Sequence, residues 1–142
     1  MAAGPVVKKI MEVYKGKVRL VIKNYPYRYR DYSRIAAEAS LAAREQGKYW
    51  EMHDILITRS PKLERASLIG YAKELGLDAK KFTESIDGQK FKLEIDADLK
   101  LATDMDLYNT PTFYINGRQV VGERSFEYLK KIIDEELKAV KS

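Results

Sequence analysis

The sequence predicts an α/β protein in which a block of helices separates an N-terminal helix and strand from a C-terminal β-hairpin and helix. Apolar residues recur at helical spacing in seven segments. A β-branched run, Val18–Lys23, follows the first of these segments, and Asn116-Gly117 joins two β-rich runs near the end. A chain of 142 residues is long enough for one domain with one core, so we expect a single domain over residues 1–142.

The first two elements are a helix and a strand. Pro5 suits a first helical turn, and the apolar spacing continues to Tyr14, before the break at Lys15-Gly16. The run Val18–Lys23 is nearly continuous in apolar character, which is typical of a strand buried on both faces. Asn24-Tyr25-Pro26 is expected to end it.

Five helices are expected next, as an insertion over about residues 33–106. Ser33 is predicted to cap the first of them, and Gly47 to end it in a left-handed conformation. The remaining four are predicted over Tyr49–Ile57, Leu63–Leu75, Ala79–Ile86 with Asp78 as the cap, and Phe91 to about Asp106.

The C-terminal part is predicted to be a hairpin followed by a helix. Residues Pro111–Ile115 and Arg118–Gly122 flank Asn116-Gly117, and an Asn-Gly turn of this kind requires positive φ at both positions. Ser125 is predicted to cap the last helix. Its buried stripe is expected to contain Phe126, Leu129, Ile132, Ile133 and Leu137.

Composition excludes several kinds of chemistry. The chain contains no cysteine, so these residues supply no disulfide, thiolate metal site or cysteine nucleophile. No P-loop, dinucleotide-binding glycine motif or Ser/His/Asp constellation is present. We therefore predict no catalytic residue, no cofactor and no metal site in the chain.

Charge and hydropathy bear on partners and location. Residues 1–34 carry a formal charge of +7 and the remainder carries −2, so the basic end is a candidate surface for an acidic partner. No apolar run approaches the roughly 20 residues that span a bilayer, and the start lacks the pattern of a signal peptide. The chain as written is expected to be cytoplasmic and not membrane-bound, whereas a missing upstream segment would permit a periplasmic or extracytoplasmic location.

Three other features have a functional and a structural interpretation. His53 is the single histidine, and its apolar neighbours favour a packing role over catalysis or metal ligation. The stretch "YPYRYRDY" at 25–32 could bind single-stranded nucleic acid, but a solvated loop is the favoured interpretation, and nucleic acid is not expected as a partner. A solvated helix face is favoured over a divalent-ion site for Glu94, Asp96, Asp98, Asp104 and Asp106.

The order of elements, together with "KVRLVIKNYP", "AAEASLAAREQGKYWEMHDILI", "YAKELGLD" and "NTPTFYINGRQVVG", resembles the DsbA-like branch of the thioredoxin superfamily. That resemblance implies a thioredoxin-like fold with a helical insertion. It also implies that Pro111 is a cis-proline facing the active site, and that Thr110 contacts the backbone of protein or peptide substrates. Thr110 and Pro111 are therefore expected to shape a substrate groove.

The chain departs from the family pattern at its start. Family members begin with a strand and a Cys-x-x-Cys motif, and both are absent here, so the chain is interpreted as N-terminally truncated relative to the family. We expect no disulfide exchange by this chain, since that reaction needs a thiolate. The alternative interpretation is a non-catalytic module that binds peptides or associates with itself.

The missing strand, as the resemblance implies, would lie between Val18–Lys23 and Thr112–Ile115. Its absence would leave backbone N–H and C=O groups unpaired on both neighbours, and exposed strand edges invite pairing with another chain. We therefore expect a homodimer or a strand-swapped assembly.

Overall fold

The computed structural model describes residues 3–141, which form seven helices and one β-hairpin. The helices are α1 (Ala3–Val13), α2 (Ser33–Arg44), α3 (Tyr49–Thr58), α4 (Arg65–Glu74), α5 (Ala79–Asp87), α6 (Lys92–Asp104) and α7 (Phe126–Lys141). The strands are β1 (Thr112–Ile115) and β2 (Arg118–Val121), which lie between α6 and α7 in the chain. This is the predicted helix-rich α/β architecture, with a small two-stranded sheet and a helical insertion.

The chain divides into two compact units. Unit 1 contains residues 3–22 and 106–141, and unit 2 contains Lys23–Met105. Unit 2 is the helical block α2–α6, and unit 1 contains α1, the hairpin and α7.

In unit 1, α1, α7 and the hairpin pack around one apolar cluster. The sheet is antiparallel, with Thr112 opposite Val121 and Ile115 opposite Arg118. Val120 faces the cluster while its neighbour Gln119 is exposed, as the two-residue period of a strand requires. The buried members are Ile10, Tyr14, Val120, Leu129, Ile132 and Ile133.

The hairpin turn has the predicted chemistry. Asn116 has φ 49° and Gly117 has φ 86°, so both turn residues adopt the left-handed conformation. The predicted cap of α7 is also confirmed, because the Ser125 hydroxyl accepts a hydrogen bond from the Tyr128 N–H at 3.2 Å.

In unit 2, α2 is the central helix and packs against α3, α4, α5 and α6. Its buried face consists largely of small residues, including Ala39, Ala42 and Ala43, which allow neighbouring helices to approach closely. The largest fully buried apolar side chains of this unit are Phe82, Leu41, Met52, Leu68 and Ile95. The predicted stop is confirmed at Gly47, which has φ 74°.

The predicted cap at Ser33 is wrong. The carbonyl of Tyr32 accepts the first helical hydrogen bond, from Ala36 N–H at 2.9 Å, so Ser33 is already inside the helix. Turns of the preceding loop carry the chain directly into the helix, as the bond from Ser33 N–H to the Arg30 carbonyl shows. Tyr32 has φ 64° and makes no capping bond through its side chain.

The predicted strand at Val18–Lys23 is also wrong. The segment is not assigned as a β-strand, and the sheet of the described residues contains β1 and β2 alone. Burial on both faces is not observed either, because Val21 is 60% exposed while Leu20 and Ile22 are half-buried. A strand is defined by pairing with a neighbour, and within residues 3–141 this segment has no such neighbour.

No helix within residues 3–141 combines the length and the apolar character that crossing a lipid bilayer requires.

Unit 2 buries the carboxylate of Glu38 on α2, which is 1% exposed. One of its oxygens accepts a hydrogen bond from the Phe91 N–H at 3.0 Å, whereas Oε1 has no hydrogen-bond partner among the described residues. Burial raises the pKa of Glu38, against the opposing effects of the Phe91 bond and of Arg34, while Asp96 raises it further. The ionised form is therefore costly in the folded protein.

The substitution Glu38→Gln should remove a pH dependence of stability. Because the pKa is raised on folding, the contribution of Glu38 is most favourable below its unfolded pKa, about 4.3, and is lost as pH rises through the folded value. Each unit of elevation corresponds to about 1.4 kcal/mol of unfolding free energy. Urea unfolding between pH 4 and pH 8 should show this decline in the wild type and a flatter curve in the variant.

Glu84→Gln is the matched control, since Glu84 is an exposed glutamate on α5. That variant should follow the wild-type pH curve. Parallel curves for Glu38→Gln and the wild type across the whole range would contradict the prediction.

Candidate functional site

Thr110 and Pro111, the residues expected to shape a substrate groove, lie immediately before β1 and are half-buried. The peptide bond that joins them is cis. The Thr110 N–H donates to Oδ1 of Asn109 at 2.9 Å, and the carbonyl of Pro111 accepts from the Gly122 N–H at 2.8 Å. One bond to the Asn109 side chain and one backbone bond from Gly122 therefore hold the turn that leads into the hairpin.

The outer edge of β1 begins at this turn. In a two-residue hairpin the residues beside the turn form a hydrogen-bonded pair, and hydrogen-bonded and non-hydrogen-bonded pairs then alternate. Phe113 and Ile115 therefore direct their N–H and C=O groups at β2, and Thr112 and Tyr114 direct theirs away from it. No further strand pairs with that side in the part of the chain that the structure describes. We call the outward backbone groups of Thr112 and Tyr114 the β1 edge.

The β1 edge is held on a fixed support. The side chains of Phe113 and Ile115 pack against the apolar cluster of unit 1. At the far side of the turn, the Arg118 guanidinium forms ion pairs with Glu135 at 2.7 Å and Glu136 at 3.3 Å, which tie the hairpin to α7. A strand fixed in this way presents its unpaired groups at constant spacing, which a pairing partner requires.

A short hydrogen bond inside unit 1 joins two helices. The buried Tyr14 hydroxyl donates to the Asp134 carboxylate at 2.5 Å and connects α1 to α7. Burial and this bond raise the pKa of Tyr14, and the Lys130 ammonium, followed by the Tyr14 bond, lowers the pKa of Asp134. These pKa shifts are explained by the Lys130–Asp134 ion pair and by burial of the Tyr14 hydroxyl, so we assign both residues a structural role.

His53 occupies a packing position. Its ring lies 5.9 Å from those of Tyr49 and Trp50, measured between centroids, and the side chain is half-buried on α3. Burial lowers its pKa, against a small opposing effect of Asp54. Within residues 3–141 no group of three or more His, Asp or Glu side chains could hold a metal ion.

The acidic residues of α6 are mostly engaged by cations. Glu94 forms a bidentate ion pair with Arg44 at 2.7 Å, and the Asp96 carboxylate pairs with Arg34 at 2.6 Å. Asp104 is exposed and pairs with Lys100.

The interpretation of Asp98 as part of a solvated face is wrong, since Asp98 is 6% exposed. Its carboxylate accepts from the Lys23 ammonium at 3.0 Å and from the Asn24 backbone N–H at 2.9 Å. Asp98 thus fastens the segment that leads into α2 to the side of α6. Glu38 was not singled out by sequence reasoning, although an acidic residue between Ile35 and Ala42 on an apolar helical stripe is a usable signal.

The fold and the site together define the class. A two-stranded hairpin entered through Thr110-Pro111 and a large helical insertion both occur in this chain, as they do in DsbA-like thioredoxin folds. The family model described as Thioredoxin matches residues 2–135, so the chain belongs to that family. It is a member without cysteine.

Solved structures give the same class. A thioredoxin-like oxidoreductase from Silicibacter pomeroyi DSS-3 is 28% identical, with a TM-score of 0.86 over 96% of this chain and 78% of that one. The thiol-disulfide exchange protein alpha-DsbA2 from Wolbachia pipientis is 24% identical, with a TM-score of 0.83 over 94% of this chain and 73% of that one, and it supports the fold alone.

Curated relatives match this chain over a small part of their own length. The Na(+)/H(+) antiporter NhaA 1 of Salinispora arenicola is 34% identical over 132 residues, which are 92% of this chain and 20% of that protein. The Na(+)/H(+) antiporter NhaA of Herminiimonas arsenicoxydans is 39% identical over 105 residues, 74% of this chain and 17% of that protein. The chain spans about a fifth of the length of the curated relatives that it matches.

The substitution Asp98→Ala should destabilise unit 2. It leaves the Asn24 N–H without its acceptor, and an unsatisfied buried group costs about 1–3 kcal/mol. Asp104→Ala, on the same helix, removes an exposed ion pair and should cost about 0–1 kcal/mol. Urea unfolding at pH 7 measures both, and equal losses in the two variants would contradict the role assigned to Asp98.

Proposed function

We propose that this chain is a thioredoxin-fold binding domain that accepts an extended peptide strand at the β1 edge and performs no thiol–disulfide exchange with its own side chains. The observation that carries the proposal is the unpaired backbone of Thr112 and Tyr114, in a chain without cysteine.

The redox half of the proposal rests on chemistry. Thiol–disulfide exchange proceeds through attack of a thiolate on a disulfide sulfur, and no other side chain forms the required mixed disulfide. The 142 residues contain no thiol. Likeness to an oxidoreductase of Silicibacter pomeroyi supports ancestry in that class, and the composition supports loss of the reaction from these residues.

The binding half rests on the strand edge. An exposed edge with aligned N–H and C=O groups pairs readily with an extended segment, which then becomes a further strand of the sheet. The backbone groups supply affinity, while side chains on alternate positions supply specificity. Thr110 and Pro111 lie at the start of this edge, and the family resemblance supports a role for them in contacting the backbone of the bound segment.

A second copy of the chain is the second candidate for the occupant. Two copies of β1 can pair antiparallel about a twofold axis, because the same edge is then used by both partners. This arrangement is the homodimer that the unpaired edges favour, and it uses the same outward groups as peptide binding. Self-association depends on the concentration of the protein, whereas peptide binding depends on the concentration of the peptide, and this difference distinguishes the two occupants.

The chain should not accelerate disulfide reduction. In the turbidity assay of insulin reduction by dithiothreitol, the rate with the 142-residue protein should equal the rate with dithiothreitol alone, because no thiolate is available to turn over. A rate above that baseline, proportional to protein concentration, would contradict the first half of the proposal.

Strand addition should protect alternate amides of β1. In the unoccupied protein, the amides of Phe113 and Ile115 should exchange slowly because they bond to β2, and those of Thr112 and Tyr114 should exchange rapidly. A synthetic octapeptide of alternating Thr and Val should slow the second pair at least about tenfold, measured by hydrogen exchange with NMR detection. Sedimentation over a hundredfold concentration range tests the second copy as the occupant.

Tyr114→Pro removes one of the two outward N–H groups of the β1 edge, so the peptide should no longer protect the Thr112 amide, while the hairpin bonds of Phe113 and Ile115 remain. Tyr114→Thr keeps that N–H and removes only the ring, so it is the matched control and should bind. Protection that persists in the proline variant would reject the binding half of the proposal. It would also be rejected if the protein is a monomer at all concentrations and the peptide leaves the exchange of the Thr112 and Tyr114 amides unchanged.

A further inference from the structure

Unit 2 contains a concave surface that the proposed strand addition does not use. It is an open cleft of about 430 Å³, formed by the loop before α2, the start of α2 and one side of α6. That volume lies within the roughly 300–1,000 Å³ typical of small-molecule sites. The lining residues are Pro26, Tyr27, Arg28, Arg30, Tyr32, Arg34, Ile35, Asp96 and Leu99, and we call this surface the arginine–tyrosine cleft.

The charge of the cleft is positive and partly uncompensated. The Arg34 guanidinium is paired with Asp96, the single acidic residue of the lining, at 2.6 Å. Asp96 is shared with Lys92, at 2.5 Å. Arg28 and Arg30 line the same space and form no ion pair within residues 3–141. Two guanidinium groups are thus available to an anion, and guanidinium is suited to bidentate contacts with phosphate oxygens.

The same loop exposes aromatic rings beside these cations. Tyr32 lines the cleft and is 48% exposed, and Tyr29, which lies between the lining residues Arg28 and Arg30 in the chain but is not itself part of the lining, is 80% exposed. The Tyr29 ring centroid lies 5.3 Å from that of Tyr27, and the Arg30 guanidinium lies 5.4 Å from the centre of the Tyr27 ring. Because the Tyr27 and Tyr29 rings already contact each other, the exposed side of the Tyr29 ring is the face on which a planar group can stack, next to the cations that can hold its charge.

The start of α2 reinforces the positive potential. Arg34 and Ile35 belong to its first turn and line the cleft, and the capping residue Tyr32 makes no side-chain bond to that turn. The N–H groups of a first helical turn and the helix dipole favour a negative charge. Their effect adds to that of Arg28 and Arg30.

We infer that the arginine–tyrosine cleft binds a nucleotide unit, with its phosphate at Arg28 and Arg30 and its base stacked on the exposed tyrosine rings. A free mononucleotide and one unit of a single strand share this chemistry. An acidic peptide would use the arginines and leave Tyr29 without a role, which is why the ring exposure favours the nucleotide. This inference departs from the solvated-loop interpretation of residues 25–32, and it is independent of the β1 edge.

Binding is measured by fluorescence anisotropy with a labelled ten-nucleotide oligothymidylate, with thymidine monophosphate and inorganic phosphate as competitors. The oligonucleotide should bind with an affinity that falls as salt is raised. Thymidine monophosphate should compete at lower concentration than inorganic phosphate, because it adds the stacked base. Flotation with vesicles containing phosphatidylglycerol tests an anionic lipid surface as the source of phosphate.

Paired variants assign the binding to the cleft. Arg28→Gln/Arg30→Gln should weaken oligonucleotide binding at least about tenfold and lower the salt slope by about 0.7, the value for one lost phosphate contact to a single strand. Tyr29→Ala should weaken it at least about fivefold with an unchanged slope. Lys73→Gln/Lys80→Gln removes the same charge from exposed positions of unit 2 outside the cleft, and should change affinity less than about threefold.

Three results would overturn the inference. The first is no detectable binding of either the oligonucleotide or the mononucleotide by the wild-type protein, when circular dichroism shows that this protein is folded and unfolds cooperatively on heating. The second is an equal loss in the cleft variant and the lysine control, which would indicate net charge alone. The third is vesicle binding without nucleotide binding, which would assign the cleft to a lipid surface.

Discussion

Backbone pairing is the constraint on which the rest of this structure depends. A strand is stable only when its N–H and C=O groups have partners, and in residues 3–141 one hairpin supplies all of the strand pairing. The hairpin is also held by side-chain contacts, through the apolar cluster on one side and the ion pair of Arg118 with Glu135 of α7 on the other. The run Val18–Lys23 has the composition of a strand but is not assigned as one, because no neighbouring strand pairs with it within residues 3–141. The unpaired β1 edge and the wrong strand prediction at Val18–Lys23 both reflect the absence of a further paired strand within residues 3–141.

Local chemistry decided which elements could be predicted from the sequence. The turn at Asn116-Gly117, the stop at Gly47 and the cap at Ser125 each depend on residues within a few positions of one another, and all three are present. The strand prediction at Val18–Lys23 was wrong because strand pairing depends on a second strand elsewhere in the chain. The interpretation of Asp98 as solvated was wrong because its partners, Lys23 and Asn24, are about 75 residues away in the chain. The predicted cap at Ser33 was wrong because the conformation of the preceding loop, rather than the Ser33 side chain, determines where α2 begins.

The two units carry different kinds of surface. Unit 1 has an edge whose chemistry lies in the backbone, so it needs no particular side chain to accept a strand. Unit 2 has a cleft whose chemistry lies in arginine and tyrosine side chains, on a loop that Asp98 fastens to α6. Substitutions can therefore test the two proposed activities separately, since changes at Arg28 or Tyr29 leave the hydrogen-bonding groups of β1 intact.

In a thioredoxin fold, disulfide exchange and strand addition depend on different parts of the chain, the first on a cysteine side chain and the second on the backbone. Disulfide exchange depends on the sulfur of a cysteine side chain, so removing that residue removes the reaction completely. Strand addition depends on the spacing of main-chain groups, which any sequence that still folds into the hairpin preserves. The family resemblance implies that a first strand pairs with this edge in other members. In the proposed binding, a peptide or a second copy takes the place of that strand at the same backbone groups. The side chains beside that edge, Thr110 and Tyr114 among them, are then the positions at which its peptide preference would be set.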